Sequence, residues 1–424
     1  MEYLLHYVWK HLLDRTRPMA TTDGRAVRVI DPGLRNGDAG PDFFNAKVEI
    51  GGTMWAGCVE VHDRSSDWYA HGHDRDRAYD SVVLHVCKVA DRPVVRHDGG
   101  EVPQLVLEVP PHVRRNYEAL RSAEMSPACS AVIDSIAPLV RHSWLSALAV
   151  ERLRGKTGLV AERLARFGGN WEDVFFVSLA RNFGFGVNGD SFERWAAMLP
   201  FRAMDKHRDS LRQVESLMFG ISGLLREGSG DAYEEDLLRE YAYLKHKFSL
   251  PEPPDFSWKL LRMRPGNFPH VRIAQLARIY QSSPSLFSRV LDCGSVDELR
   301  RLFKCGTSDY WHTHYTFGHE SPGRRRMLSD RSADLVVINT VVPFLYAYGS
   351  YTGDGASCDK ALALLESVGA EDNHMVRNWV RVGIVPDNAA DSQALIELTR
   401  EYCQKRKCFF CRFGYEYLKC ERIL

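Results

Sequence analysis

An α/β domain followed by a large, mainly α-helical region is the fold class this chain predicts, on three observations. Apolar residues alternate at period two in short runs before about residue 110. From about residue 113 they recur at helical spacing with charged opposite faces. Turn pairs punctuate only the first part closely, at Pro32-Gly33, Asn36-Gly37 and Gly51-Gly52. With 424 residues the chain is long enough for two or three domains. Its 45% hydrophobic and 11% aromatic content suits a soluble globular protein.

The elements follow in order. Residues 2–13 read as an amphipathic helix with Leu5, Val8, Trp9 and Leu12 on one side. Residues 25–31 alternate as a strand. Strands at 43–50 and 54–62 are joined by the tight turn Gly51-Gly52. Ser65-Ser66-Asp67 offers an N-cap for a helix over 67–79. Residues 81–89 and 102–109 are two further strands. Helices then suit 139–153, 156–167, 171–182, 208–226 and 231–247, and continue from 270 to 404. These readings divide the chain into an α/β domain at 1–112, a helical region at 113–400 and a Cys-rich segment at 401–424. Internal breaks in the helical region are expected near 228–230 or 250–255, at Gly228-Ser229-Gly230 and at Pro251-Glu252-Pro253-Pro254.

The sharpest chemical signal is Pro41-Asp42 followed by Glu60-Val61-His62. An Asp opening one strand and a Glu on the next bring two carboxylates together, and such a pair holds a hard divalent cation. Cys58, Glu60 and His62 share one strand face, because side chains alternate. Glu60 sits between apolar neighbours, where a carboxylate is costly unless paired or metal-bound.

This layout resembles the PD-(D/E)XK nuclease superfamily over roughly residues 1–110. The order helix, three strands, helix, strand matches that family's core. The resemblance implies a restriction-endonuclease-like mixed sheet and metal-dependent phosphodiester hydrolysis on DNA or RNA. It assigns Asp42 and Glu60 to a Mg or Mn ion and His62 to positioning or activating water. His62 stands where the family usually has Lys, so the point charge beside the phosphate is missing. Lys47 is an alternative source of it, on the opposite face of an unbroken strand. Glu2 is a candidate third acid. The whole chain is also similar to an uncharacterised bacterial domain-of-unknown-function family, through GDAGPDFFNAKV, RMRPGNFPHVRIAQLA and a Cys-rich end. A catalytically silent nucleic-acid-binding or scaffold protein on the same fold stands as an alternative.

Three other groups carry chemistry. His62, His71, His73 and His85 could build a zinc centre for a hydrolase, although His71 and His73 diverge if they lie on one helix. Cys403, Cys408, Cys411 and Cys420 crowd thiols into 18 residues and suit a structural Zn site or an iron–sulfur cluster. Arg262 and Arg264, with Arg324, Arg325 and Arg326, are local basic patches for DNA or RNA. Such patches are needed because 55 Lys and Arg balance 55 Asp and Glu, leaving no global basic field. Glu2, His6 and Lys10 interrupt the apolar start, so no export signal is expected there. No apolar run reaches the roughly 18 residues that span a bilayer. A cytoplasmic protein with no membrane partner is the expectation, and reduced thiols follow from it. Oligomeric state is not legible.

Overall fold

The computed structural model describes residues 2–13, 18–124 and 127–421. The chain divides into two compact units, Met1–Arg141 with Thr399–Leu424, and His142–Leu398. The first is α/β and the second is helical.

In the first unit, helix α1 (Glu2–His11) precedes strands β1 (Met19–Ala20), β2 (Ala26–Asp31), β3 (Leu34–Arg35), β4 (Phe43–Ile50) and β5 (Thr53–Arg64). Helix α2 (Asp67–Ala70) leads to β6 (Val82–Val89), the short pair β7 (Val94–Val95) and β8 (Glu101–Val102), and β9 (Gln104–Val106). The sheet runs β1-β2-β4-β5-β6-β9, with β3 beside β4. Pairing is antiparallel from β1 to β5 and parallel from β5 through β6 to β9. Thr21 bridges Leu105, so the start of the sheet returns to its end.

Alternation decides which face each residue takes. Leu4, Leu5, Val8 and Trp9 of α1 share a core with Phe43, Val48, Val59, Val61 and Val86 of the sheet. Cys58, Glu60 and His62 therefore project to the opposite side. There Trp68, Tyr79, Val82, Val94 and Val102 form a second, smaller core against which Cys58 packs. Asn45 has φ 59° and the β4–β5 register shifts between Phe43 and Ala46. Such a bulge re-aims the side chains at its end of the strand.

The segment after β5 departs from the sequence reading. In place of one helix over 67–79, α2 stops at Ala70 and two 3₁₀ turns follow, His73–Arg75 and Arg77–Tyr79. Gly72 causes the break, because it adopts the left-handed conformation at φ 77°. Ser66 makes no capping bond through its side chain. Ser65 Oγ and Ser66 Oγ donate instead to Asp91, at 3.0 and 2.9 Å.

The boundary between units also differs, falling after Arg141 rather than after residue 112. Helix α3 (Pro111–Ser122) stays with the sheet unit because the C-terminal segment packs on it. Asn116 Nδ2 donates to the carbonyls of Cys420 at 2.8 Å and Tyr417 at 3.0 Å, where the helix Arg412–Lys419 ends. The Cys-rich segment is thus part of the α/β unit.

In the helical unit, helix α4 (Pro138–Arg166) is continuous where the sequence suggests two helices. Gly155 and Gly158 cost only about 1 kcal/mol each in a helix, less than packing returns. Phe175, Phe183, Trp195, Phe219, Trp311 and Phe344 are fully or nearly fully buried and fill its core. Asp231 caps the helix Ala232–Phe248 after Gly228-Ser229-Gly230, and neither expected break divides the unit. Asp330–Thr352 is long and apolar enough to cross a membrane, and 72% of its most apolar window is buried within the protein.

Candidate metal centre

Asp42 and Glu60 meet as the sequence suggests. The backbone N–H of Asp42 donates to Glu60 Oε2 at 2.9 Å, and that of Val61 donates to Asp42 Oδ2 at 3.0 Å. Each carboxylate thus gives one oxygen to the other's strand. Glu60 is 5% exposed, and burial, reinforced by the charge of Asp42, raises its pKa against the opposing effect of the nearby His73.

The free oxygen of Glu60 faces imidazoles. Its Oε1 lies 3.5 Å from His62 Nε2 and 3.4 Å from His73 Nε2. His62 Nε2 is also 3.1 Å from His71 Nδ1. One ligand nitrogen from each of His62, His71 and His73 lies within 4.8 Å of the others. Tetrahedral ligands at metal–nitrogen distances of about 2.0–2.1 Å sit about 3.3–3.4 Å apart. The Glu60–His62, Glu60–His73 and His62–His71 spacings are close to that figure.

The left-handed turn at Gly72 is what makes the group possible. Two residues apart on a helix, His71 and His73 would point away from each other. With the chain reversed between them, both reach His62. Trp68, fully buried, sets its edge against His73 and His85, and Tyr79 stacks on His73 at 3.8 Å between ring centres. His73 Nε2 is buried and makes no hydrogen bond of good geometry. A buried ligand nitrogen left this way is costly without a further partner.

Burial keeps His62 and His85 neutral. Burial, then His85, His73 and His71, push the His62 pKa down to about 2, and burial brings His85 to about 4. Neutral imidazole is the form that ligates metals. His62 Nδ1 lies 2.9 Å from His85 Nε2, so one of these two nitrogens carries the proton they share.

On the α1 side, His6 Nε2 is 3.3 Å from Asp42 Oδ2 and 3.9 Å from Glu2 Oε1. Burial works against protonation of His6, but the hydrogen bond and charge of Asp42 outweigh it and raise its pKa. Burial also raises the pKa of Glu2, with Asp42 adding to the effect and His6 and His71 opposing it. Lys47 is exposed on β4.

The C-terminal thiols form no group of three within 4.8 Å among the described residues. Cys403, Cys408 and Cys411 nevertheless lie near enough to influence one another, and Cys129 joins them. Burial and then these three thiols raise the Cys129 pKa, and burial with Cys411 and Cys408 pushes Cys403 up to about 12. Cys420 is elsewhere. It caps the C-terminal end of a helix whose N-cap is Cys411, and such a helix separates its ends by roughly 12–14 Å. Cys129 carries no spacing signal, since its partners are more than two hundred residues away in sequence. Arg264, Arg324, Arg325 and Arg326 line one cleft of the helical unit, and Arg262 lies outside its lining.

The architecture is that of an α/β protein with a His- and carboxylate-lined candidate metal centre, joined to a helical unit. The chain belongs to the family described as Protein of unknown function (DUF2851), whose model matches residues 2–374. No curated protein and no solved structure matches it.

Proposed function

We propose that this protein is a metal-dependent phosphodiesterase acting on DNA or RNA, with a PD-(D/E)XK-like site in which imidazoles replace the usual Lys. The observation that carries the reading is the convergence of ligand nitrogens of His62, His71 and His73, with Glu60 Oε1 beside His62 and His73 and next to Asp42. The element order of the sheet, with Asp42 ahead of β4 and Glu60 on β5, supports the same relationship.

The donor set fits a metal. Three imidazoles and one carboxylate favour zinc or manganese over the magnesium that two carboxylates alone suggest. Such an ion supplies Lewis acidity toward a phosphoryl oxygen and a bound water of lowered pKa. His62 and His73 with Glu60 would hold it from the buried side, and the exposed His71 would complete the set. His85 holds His62 in its ligating orientation. Asp42, whose side chain is 26% exposed, would orient water and accept its proton. At the C-terminal end, Cys129, Cys403, Cys408 and Cys411 suit a structural iron–sulfur cluster, whose several irons space their thiolates more widely than one zinc ion does.

The test is cleavage of single- and double-stranded DNA and RNA by chelator-treated protein resupplied with Mn²⁺, Zn²⁺ or Mg²⁺. The expected result is cleavage with Mn²⁺ or Zn²⁺, abolished by Glu60→Gln and by Asp42→Asn. No cleavage with any ion, or equal cleavage by both variants, overturns the proposal. The imidazole-rich donor set also favours a zinc hydrolase of other esters. Turnover of a non-nucleic ester alone, lost in Glu60→Gln, selects that reading.

A further inference from the structure

The helical unit holds a cleft of about 970 Å³ whose lining includes Arg264, Arg272, Arg324, Arg325, Arg326 and Arg331 but no Asp or Glu. In a chain with equal numbers of acidic and basic residues, that is a strong local excess. Five of the six make no ion pair among the described residues, and only Arg331 pairs, with Asp372 at 3.5 Å.

Two of the five are buried. Arg272 is 5% and Arg326 is 6% exposed. Arg272 donates to Gln275 Oε1 at 2.8 Å and to Asn267 Oδ1 at 2.5 Å, and stacks over Phe185. Its Nε is buried with no acceptor, and burial lowers its pKa to about 10. Arg326 donates to the carbonyl of Trp311, to Tyr315 Oη and to Ser321 Oγ, and stacks on Tyr315. All these partners are neutral. Burying a guanidinium with no counter-charge is expensive, and a site that holds two of them is built for an anion brought from outside. The helix Pro269–Ser282 starts at the cleft, so its positive end adds to the field. Aromatic rings fix the planes of both buried guanidinia, which preserves their fork geometry toward phosphate oxygens.

From this we infer that the cleft binds an anion of clustered phosphate groups, taken from a nucleotide's polyphosphate or from the phosphates of an oligonucleotide. Arg272 and Arg326 form its floor, and the exposed Arg264, Arg324 and Arg325 form its rim. The site lies wholly in the helical unit and stands whether or not the metal centre is catalytic.

The test measures binding of inorganic tripolyphosphate, by calorimetry, and of fluorescent single-stranded DNA with or without a 5′-phosphate, by polarisation. It uses the full chain, wild type and R324E/R325E, with R272M as a floor variant. Both rim positions are exposed, so the double variant keeps its fold, which circular dichroism verifies. At least one probe is expected to bind, about tenfold more weakly on raising salt from about 50 to about 200 mM. R324E/R325E is expected to bind at least tenfold more weakly still. Tripolyphosphate binding without DNA binding assigns a nucleotide, and DNA binding assigns an oligonucleotide. A preference for the 5′-phosphate then assigns its end. No binding of any probe at low salt, or unchanged binding by folded R324E/R325E, overturns the inference.

Discussion

Glu215→Gln should remove a pH dependence from the stability of the helical unit. Glu215 is 1% exposed and accepts hydrogen bonds from Tyr233 Oη and Ser308 Oγ. Burial pushes its pKa from 4.5 up to about 7 despite those bonds. The folded state therefore keeps a proton that the unfolded state has released. Its contribution is fully present below the unfolded pKa and is lost as pH rises through the folded one. A carboxyl raised that far costs about 3 kcal/mol once it must ionise in place. Gln carries no charge, and it can accept from Tyr233 while donating to Ser308. The stability gap between variant and wild type should widen by about 3 kcal/mol between about pH 4 and pH 8. For a unit of this size that is a Tm difference of about 6–12 °C. Scanning calorimetry of both proteins at several pH values measures it. A gap that stays constant across that range would refute the reasoning, because Glu215 would then titrate alike in both states.

Two further substitutions probe the fold around the sites. Gly72→Ala puts a side chain at φ 77°, where no atom lies within 4 Å of the new Cβ, so the cost is backbone strain of about 1–2 kcal/mol. Calorimetric affinity for Zn²⁺ should fall at least tenfold as His71 and His73 separate, and Gly72→Asn should recover part of it; unchanged affinity in Gly72→Ala would detach the turn from the site. Gly220→Ala places a Cβ 2.1 Å from the Tyr241 ring, which should destabilise the helical unit by about 1–3 kcal/mol in urea unfolding. An unaltered midpoint would show that the ring moves freely.

The sheet and the Asp42–Glu60 pair were legible because alternation assigns strand faces without tertiary information. Val59 and Val61 had to face a core, which turned Glu60 and His62 the other way. The rest of the ligand set was hidden by one residue. Read as a helix, 67–79 scatters His71 and His73, and Gly72 between them was the available signal that the helix stops. Cys129 could not be found from spacing, since only folding brings it to Cys403, Cys408 and Cys411. The basic text at Arg324–Arg326 was plain in sequence. Arg272 belongs to the basic text around Pro265-Gly266-Asn267, but its burial was not legible, because an Arg on an otherwise buried helix face reads as solvated.

The central claim is that Glu60, His62, His71 and His73 share one metal ion. An anomalous difference map from crystals grown with Mn²⁺ or Zn²⁺, collected at the metal's absorption edge, tests it most directly. One strong peak is expected within about 2.0–2.2 Å of Glu60 Oε1, His62 Nε2, His71 Nδ1 and His73 Nε2. That peak should be absent from crystals of Glu60→Gln. A map with no peak between these four side chains, at metal concentrations that fill other sites, would contradict it.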